Sequence, residues 1–374
     1  MTPIYLDYQA TTPLAPEAAA AMRPWLDDKF ANPHSSHRMG REAAAAVEVA
    51  RGQVLAALQR EVAGNLHFTS GATEAINWAL KGTFENSKRR KLVTIATEHA
   101  AVLDTAEWLQ EERGIEVVRL GVGPDCLLDL KAAEMAIDDG TAMVTAMLVN
   151  NEIGVIQPIA ELSALARGHS AVMLCDAVQG FGRMAIPDGP DLIAVSGHKV
   201  HGPKGIGGLW MKNGAEPAPL LHGGGQELGL RSGTLSPALC VGFGEAANLA
   251  AQRRDADSAH IEKLFEIASS SFGQGWIING SVSHRYHGNL NLRRDGLDGA
   301  RLISDLRNLA FSLGSACASG SGRPSHVLRA LGLTDREARS SIRLGFGRYT
   351  GEEELASACR RIDDEARAQL GFLA

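Results

Sequence analysis

From residue 66 the chain alternates short apolar runs with longer stretches whose apolar residues recur at helical spacing. "LHFT" leads to "SGATEAINWALKG", "KLVTIAT" to "EHAAVLDTAEWLQEE", and "AMVTAMLV" to "NNEIG". "AVMLC" leads to "DAVQGFG" and "DLIAV" to "SGHKVHGPKG", with "GGLWM" next. The apolar runs have the length of buried strands. Strand–helix alternation predicts a mostly parallel sheet covered by helices. Two alanine-rich stretches, "APEAAAAMRPWL" and "GREAAAAVEVARGQVLAAL", read as helices ahead of it. Near residue 256 the texture changes. "HIEKLFEIASSSF" and "GARLISDLRNLA" are helical, and "HGNLNLR" and "SSIRLGFGR" are strand-like. This predicts an α/β protein with a large domain over 15–255. A smaller α+β domain is expected from 256–374 together with 1–14, where "PIYLDY" supplies a strand.

Parallel sheets bind ligands at the carboxyl ends of their strands. The polar residues there are Thr73, His99, Asn151, Asp176, Gln179, Ser196, His198 and Lys199. Taken singly, each has a plain reading. "TSGATE" caps a helix, but its free N–H groups also suit a phosphate. Asp176, ending a buried strand, needs a cationic or donor partner, either a salt bridge or a protonated ring nitrogen. His99 is a loop histidine or a residue that stacks on a planar ring. Lys199 joins them. A lysine beside a phosphate site, an aspartate and a stacking histidine is what pyridoxal phosphate chemistry requires.

Composition narrows the classes. The chain has 374 residues with 45% apolar and 21% charged, ordinary for a globular protein able to bury a large core. Net charge is −6, which does not point to nucleic acid or an anionic membrane. The basic run "KRRK" at 88–91 reads as a solvated turn. No signal segment or membrane span is visible, and the reading is cytoplasmic. Five cysteines, at 126, 175, 240, 317 and 359, show no zinc-ligand spacing, so no resident metal is expected. Cys317 stands apart. "SLGSACASGSGRPS" holds five serines and three glycines in fourteen residues, a composition that predicts a mobile loop over about 312–325. The other four cysteines lie in apolar or helical surroundings.

The motifs "YLDYQATTPL", "NPHSSHRMG", "FTSGATEAIN", "TEHAAVLDT", "VNNEIGVIQP", "DAVQGFG", "SGHKVHGPKGIGGL", "GGGQELGLRSGTL", "GSACASGSGRPSHVLRALGL" and "SSIRLGFGRYT" cover nearly the whole chain in order. Together they resemble the class I cysteine desulfurases of NifS/IscS type, the sulfur donors of nitrogenase and iron–sulfur cluster assembly. The resemblance implies pyridoxal phosphate fold type I, with a seven-stranded sheet domain, working as a homodimer. It implies that Lys199 forms the Schiff base, Asp176 holds the pyridine nitrogen and Gln179 the ring hydroxyl. His99 would stack on the ring and shuttle protons. Ala72, Thr73, Ser196 and His198 would cradle the phosphate, and Thr234 would reach the phosphate of the neighbouring subunit. Arg343 would grip the substrate carboxylate, with Asn32 and Asn151 nearby. Cys317 would receive sulfur from L-cysteine as a persulfide, leave L-alanine, and touch an iron–sulfur centre only in passing. The sulfur would go to a scaffold or carrier protein. After "SSIRLGFGRYT" only one helical stretch remains, shorter than the scaffold-docking tail of housekeeping members. The acceptor is therefore left open. A selenocysteine lyase is the alternative on the same fold, and a non-catalytic assembly partner is the alternative from another class.

Overall fold

The computed structural model describes residues 3–313 and 324–371. The chain begins with β1 (Ile4–Tyr5), α1 (Pro16–Leu26), α2 (Arg38–Leu58), β2 (Gly64–Thr69) and α3 (Ala72–Asn86). Next come β3 (Lys91–Ile95), α4 (Ala100–Arg113), β4 (Glu116–Leu120), α5 (Leu130–Ala136), β5 (Thr141–Met147) and α6 (Ile159–Gly168). Then follow β6 (Val172–Asp176), β7 (Leu192–Ser196), β8 (Gly207–Lys212) and the long α7 (Pro237–Ser271). The remainder is β9 (Trp276–Ile278), β10 (Asn289–Arg294), α8 (Gly299–Asp305), β11 (Leu309–Ala310), α9 (His326–Ala330), α10 (Asp335–Arg339), β12 (Ser341–Gly345) and α11 (Glu352–Gly371).

Seven strands form one sheet in the order β2-β8-β7-β6-β5-β3-β4. Neighbours from β7 to β4 are parallel, and β8 runs antiparallel to both β7 and β2. This is the mostly parallel sheet the apolar runs predict. Successive side chains of a strand point to opposite faces. Met173 and Cys175 accordingly enter a core with α1, α2, α6 and α7, while Leu174 enters a second core with α3 and α4. Every residue of β5 is buried, as a strand covered on both faces must be. The chain order reverses between β3 and β5, so the segments leaving these two strands part and open a crevice at their carboxyl ends.

A third core gathers under a separate antiparallel sheet, β12-β10-β9, and the parallel pair β1-β11. Three sequence readings change here. The change of texture near 256 falls inside α7, which runs unbroken for 35 residues. "GARLISDLRNLA" is helical only to Asp305. Its end becomes β11, because Ile4 and Leu6 donate to Asn308 and Ala310 and draw it into a strand. "KRRK" is a turn but not a solvated one throughout. Arg89 Nη1 donates to the carbonyl of Thr141 at the start of β5 and to those of His169 and Ser170 at the negative end of α6, and Lys91 pairs with Asp138 at 2.8 Å. No helix among the described residues is long and apolar enough to cross a membrane.

Candidate active site

Lys199 follows β7 in a single helical turn. Its Nζ donates to the carbonyls of Gln9 and Ala10, at 2.5 and 2.7 Å. Burial lowers its pKa to about 8, helped by Arg183 and Arg343 and opposed by Asp7 and Asp176. A free amine is thus available near neutral pH. Asp176 ends β6, buried, with Oδ1 accepting from the Val178 N–H at 3.0 Å. Burial pushes its carboxyl up, against the pull of His99 and Lys199. Gln179 donates to the Gln9 carbonyl at 2.9 Å and accepts from Arg183 at 2.7 Å.

His99 is the N-cap of α4, and its Nδ1 accepts from the Ala101 N–H at 3.0 Å. That bond fixes the ring's orientation. His198 places Nδ1 3.1 Å from the Thr11 hydroxyl, and burial lowers its pKa to about 4, so the ring is neutral. Ser196 closes β7 and is buried. Across the sheet, α3 begins at Ala72 behind Gly71, with no side chain capping its first N–H groups. A Cβ on Gly207 would lie 2.8 Å from the Gly71 backbone, so only glycine lets β8 pass beneath this turn. Thr73 and Thr234 are exposed. Arg231, three residues before Thr234, pairs with Glu74 at 2.6 Å and holds that segment beside α3.

Arg343 lies on β12 with its side chain 1% exposed, so it is no surface ion pair. Nη2 meets Asp7 Oδ1 at 2.7 Å and Nη1 meets the Asn151 carbonyl at 3.0 Å. Asn151 therefore enters through its backbone. Asn32 is exposed and its Oδ1 caps the turn at the His34 N–H. No hydrogen bond or ion pair ties it to the other site residues, among the described residues. Cys317 lies outside the described residues. Ser312, before that segment, exchanges backbone hydrogen bonds with Arg343 and donates to Asp7. After it, Ser325 donates to the buried Glu152, and His326 Nε2 meets the Glu98 carbonyl at 2.9 Å. Both flanks thus attach to residues around the same crevice.

Sequence reasoning passed over the N-terminal segment as a contributor. Asp7, Gln9, Ala10, Thr11 and Thr12 bind Arg343, Gln179, Lys199 and His198. The signal was present, since "YLDYQATT" is also a strand end followed by polar residues. Cys126, Cys175, Cys240 and Cys359 are buried. Burial pushes Cys126, Cys240 and Cys359 up to about 12 and raises Cys175 well above the ordinary thiol value, which leaves these four as unreactive thiols.

The depressed Lys199 pKa has a measurable consequence in the protein without cofactor. The unfolded chain holds this proton up to about 10.5, whereas the folded chain releases it near about 8. Folding is therefore penalised below about 8, and the penalty is relieved as pH rises from about 8 to 10.5. Lys199→Met should flatten that rise. Urea unfolding of both proteins at stepped pH checks it, and identical slopes would contradict the low pKa.

The aminotransferase class-V family model matches residues 4–357. "Cysteine desulfurase IscS" of Rickettsia bellii (strain OSU 85-389) is 44% identical over 372 residues, covering 96% of this chain and 90% of that protein. A solved structure described as a NifS-like protein superposes with a TM-score of 0.90 at 31% identity, covering 99% of this chain and 100% of that one. Another, described as SspA in complex with cysteine, gives a TM-score of 0.82 at 35% identity, covering 93% of this chain and 99% of that one.

Proposed function

This chain belongs to the aminotransferase class-V family as a pyridoxal phosphate-dependent cysteine desulfurase, and we propose that Lys199, Asp176, His99, Arg343 and Cys317 carry its chemistry. Its substrate is L-cysteine, and the sulfur passes to an acceptor. The observation that supports the residue roles is the convergence of a low-pKa lysine, a buried aspartate and an oriented histidine on one crevice. We read 15–255 as the large domain, and 1–14 with 256–374 as the small one.

The side chains present fit the cofactor. The uncapped start of α3 at Ala72 and Thr73, with Ser196 and His198, offers donors for the phosphate. Asp176, buried and lacking a paired cation among the described residues, suits the pyridinium N–H, and Gln179 the ring hydroxyl. When bound, pyridoxal phosphate supplies a protonated ring that accepts the electron pair left at the substrate Cα.

Arg343 binds the substrate carboxylate, with the Asn151 carbonyl fixing the guanidinium; Asn32 is assigned to the same end of the substrate. The planar fork of arginine suits a carboxylate better than lysine does. Lys199 would hold the cofactor through its amine and, once freed by the substrate amine, would take the Cα proton and later return it to Cα. His99, its ring oriented by the Ala101 N–H, would lie against the cofactor ring and would carry the proton released by Cys317. Cys317, as thiolate, attacks the substrate sulfur. An S–S bond forms and the C–S bond breaks. Its electron pair stays on Cβ, which takes up one proton to become the methyl of alanine. The proton lost by the Cys317 thiol balances that uptake. The remaining assignments are a homodimer in which Thr234 reaches the phosphate site of a second copy, a cytoplasmic setting, and an iron–sulfur scaffold or sulfur carrier as acceptor. Incubating the loaded enzyme with L-cysteine and quantifying alanine against sulfide and persulfide tests the reading. Turnover confined to selenocysteine would replace it with the lyase.

Asp176→Asn should cut Cα–H exchange of bound L-cysteine by about a hundredfold, the scale of one lost electrostatic contact in a dry site. Stability without cofactor should change little, because burial already disfavours the charge on Asp176. Proton exchange in D2O followed by NMR gives the first number and thermal melting the second. An unchanged exchange rate would assign Asp176 another role.

A further inference from the structure

We propose that Asp7 is a positioning residue that sets both the direction of the Arg343 guanidinium and the charge balance around Lys199. The inference rests on Arg343 being the carboxylate grip. Its observations are geometric. Arg343 cannot shed its charge, and its side chain is 1% exposed, so it needs an anion beside it. Asp7 supplies one at 2.7 Å. The Asn151 carbonyl takes the other terminal nitrogen at 3.0 Å. Two contacts from segments 144 positions apart in sequence (Asp7 and Asn151) define the plane of the fork.

Asp7 is itself held on several sides. Its carbonyl accepts from the Tyr5 hydroxyl at 3.1 Å and the Ala10 N–H at 2.9 Å. Its neighbours Leu6 and Tyr8 exchange backbone hydrogen bonds with Gly345, at the end of the Arg343 strand. Ser312 donates to the same Oδ1 at 3.2 Å. The carboxylate therefore has little freedom to turn away, and the fork it holds inherits that stiffness. A carboxylate clamped this way orients a neighbour without touching substrate. Lys199 Nζ donates to the carbonyls of Gln9 and Ala10, in the same segment as Asp7, so the Asp7 charge stands near the amine and opposes Arg183 and Arg343 there.

Asp7→Ala and Asp7→Asn separate the two effects. Asparagine keeps an oxygen for the guanidinium but loses the charge, while alanine loses both. In the full-length loaded enzyme, Asp7→Ala should raise KM for L-cysteine by roughly tenfold or more, the scale of a misplaced binding group. Asp7→Asn should raise KM less than Asp7→Ala does, because an oxygen for the guanidinium remains. In the cofactor-free protein, NMR of 13C-methylated lysines, with Lys199 assigned by its loss in Lys199→Ala, should show Lys199 titrating at lower pH in both variants. Equal KM in Asp7→Ala and wild type would overturn the proposal. So would an equal KM rise in both variants accompanied by a fall in melting temperature, which marks a purely structural residue, or an unmoved Lys199 titration. Should the wild type release no alanine from L-cysteine, the desulfurase reading fails, and the lysine titration still decides the charge role of Asp7.

Discussion

Lys199→Ala is expected to lower alanine release from L-cysteine by more than about four orders of magnitude, because the proposal gives one group both the covalent link and the Cα base. The fold should tolerate the change. The variant removes a partly desolvated amine whose low pKa already records the cost of burying it. The Gln9 and Ala10 carbonyls both lose their lysine donor, but Gln9 keeps the Gln179 amide. The phosphate cradle and Asp176 remain, so cofactor should still bind, held without a covalent bond. Borohydride should then fix no cofactor mass on the protein. Alanine release at the wild-type rate would remove Lys199 from the mechanism.

Cys317→Ser should separate cofactor chemistry from sulfur acceptance. A hydroxyl is far less nucleophilic toward sulfur than a thiolate, so alanine and persulfide should both fall to near background. Bound-cofactor absorbance and L-cysteine binding should persist, since the proposal assigns those functions to Lys199, Asp176, His99 and Arg343. The four remaining cysteines offer no substitute, as each is buried and its thiol proton is held tightly. Intact-protein mass spectrometry after exposure to L-cysteine reads the outcome. A one-sulfur adduct on Cys126, Cys175, Cys240 or Cys359 at wild-type level in this variant would exclude Cys317 as the acceptor.

The central strands were legible because buried parallel strands are short apolar runs, and β5, β6 and β7 meet that description. β4 was missed for the converse reason. It is the edge of the sheet, and "EVVRL" is half exposed with a charge at either side of its apolar pair. β11 was read as helix because its pairing with β1 spans some 300 residues, and no local pattern announces it. The site divides along the same line. Lys199, Asp176 and His99 stand at strand ends and could be found there. The contact between Asp7 and Arg343 spans 336 positions and exists only once the segment following β1 bridges the end of β12 at Gly345. Asn32 was named from its motif alone, and among the described residues its side chain is seen only in a local turn.

The unbroken helix α7, roughly 50 Å long, belongs to two apolar interiors at once. Cys240, Phe243, Ala246, Ala247, Ala250 and Ile261 enter the core beneath the large sheet, and Leu264, Phe265 and Ala268 enter the core beneath the small one. Neither interior can come apart without stripping an apolar stripe from a helix the other still holds. The free energies of the two halves are thereby joined, and partial unfolding of one carries the cost of fraying the other. The large and small sheets that share this helix should then melt as one cooperative unit, with the Lys199 and Arg343 ends of the crevice lost together.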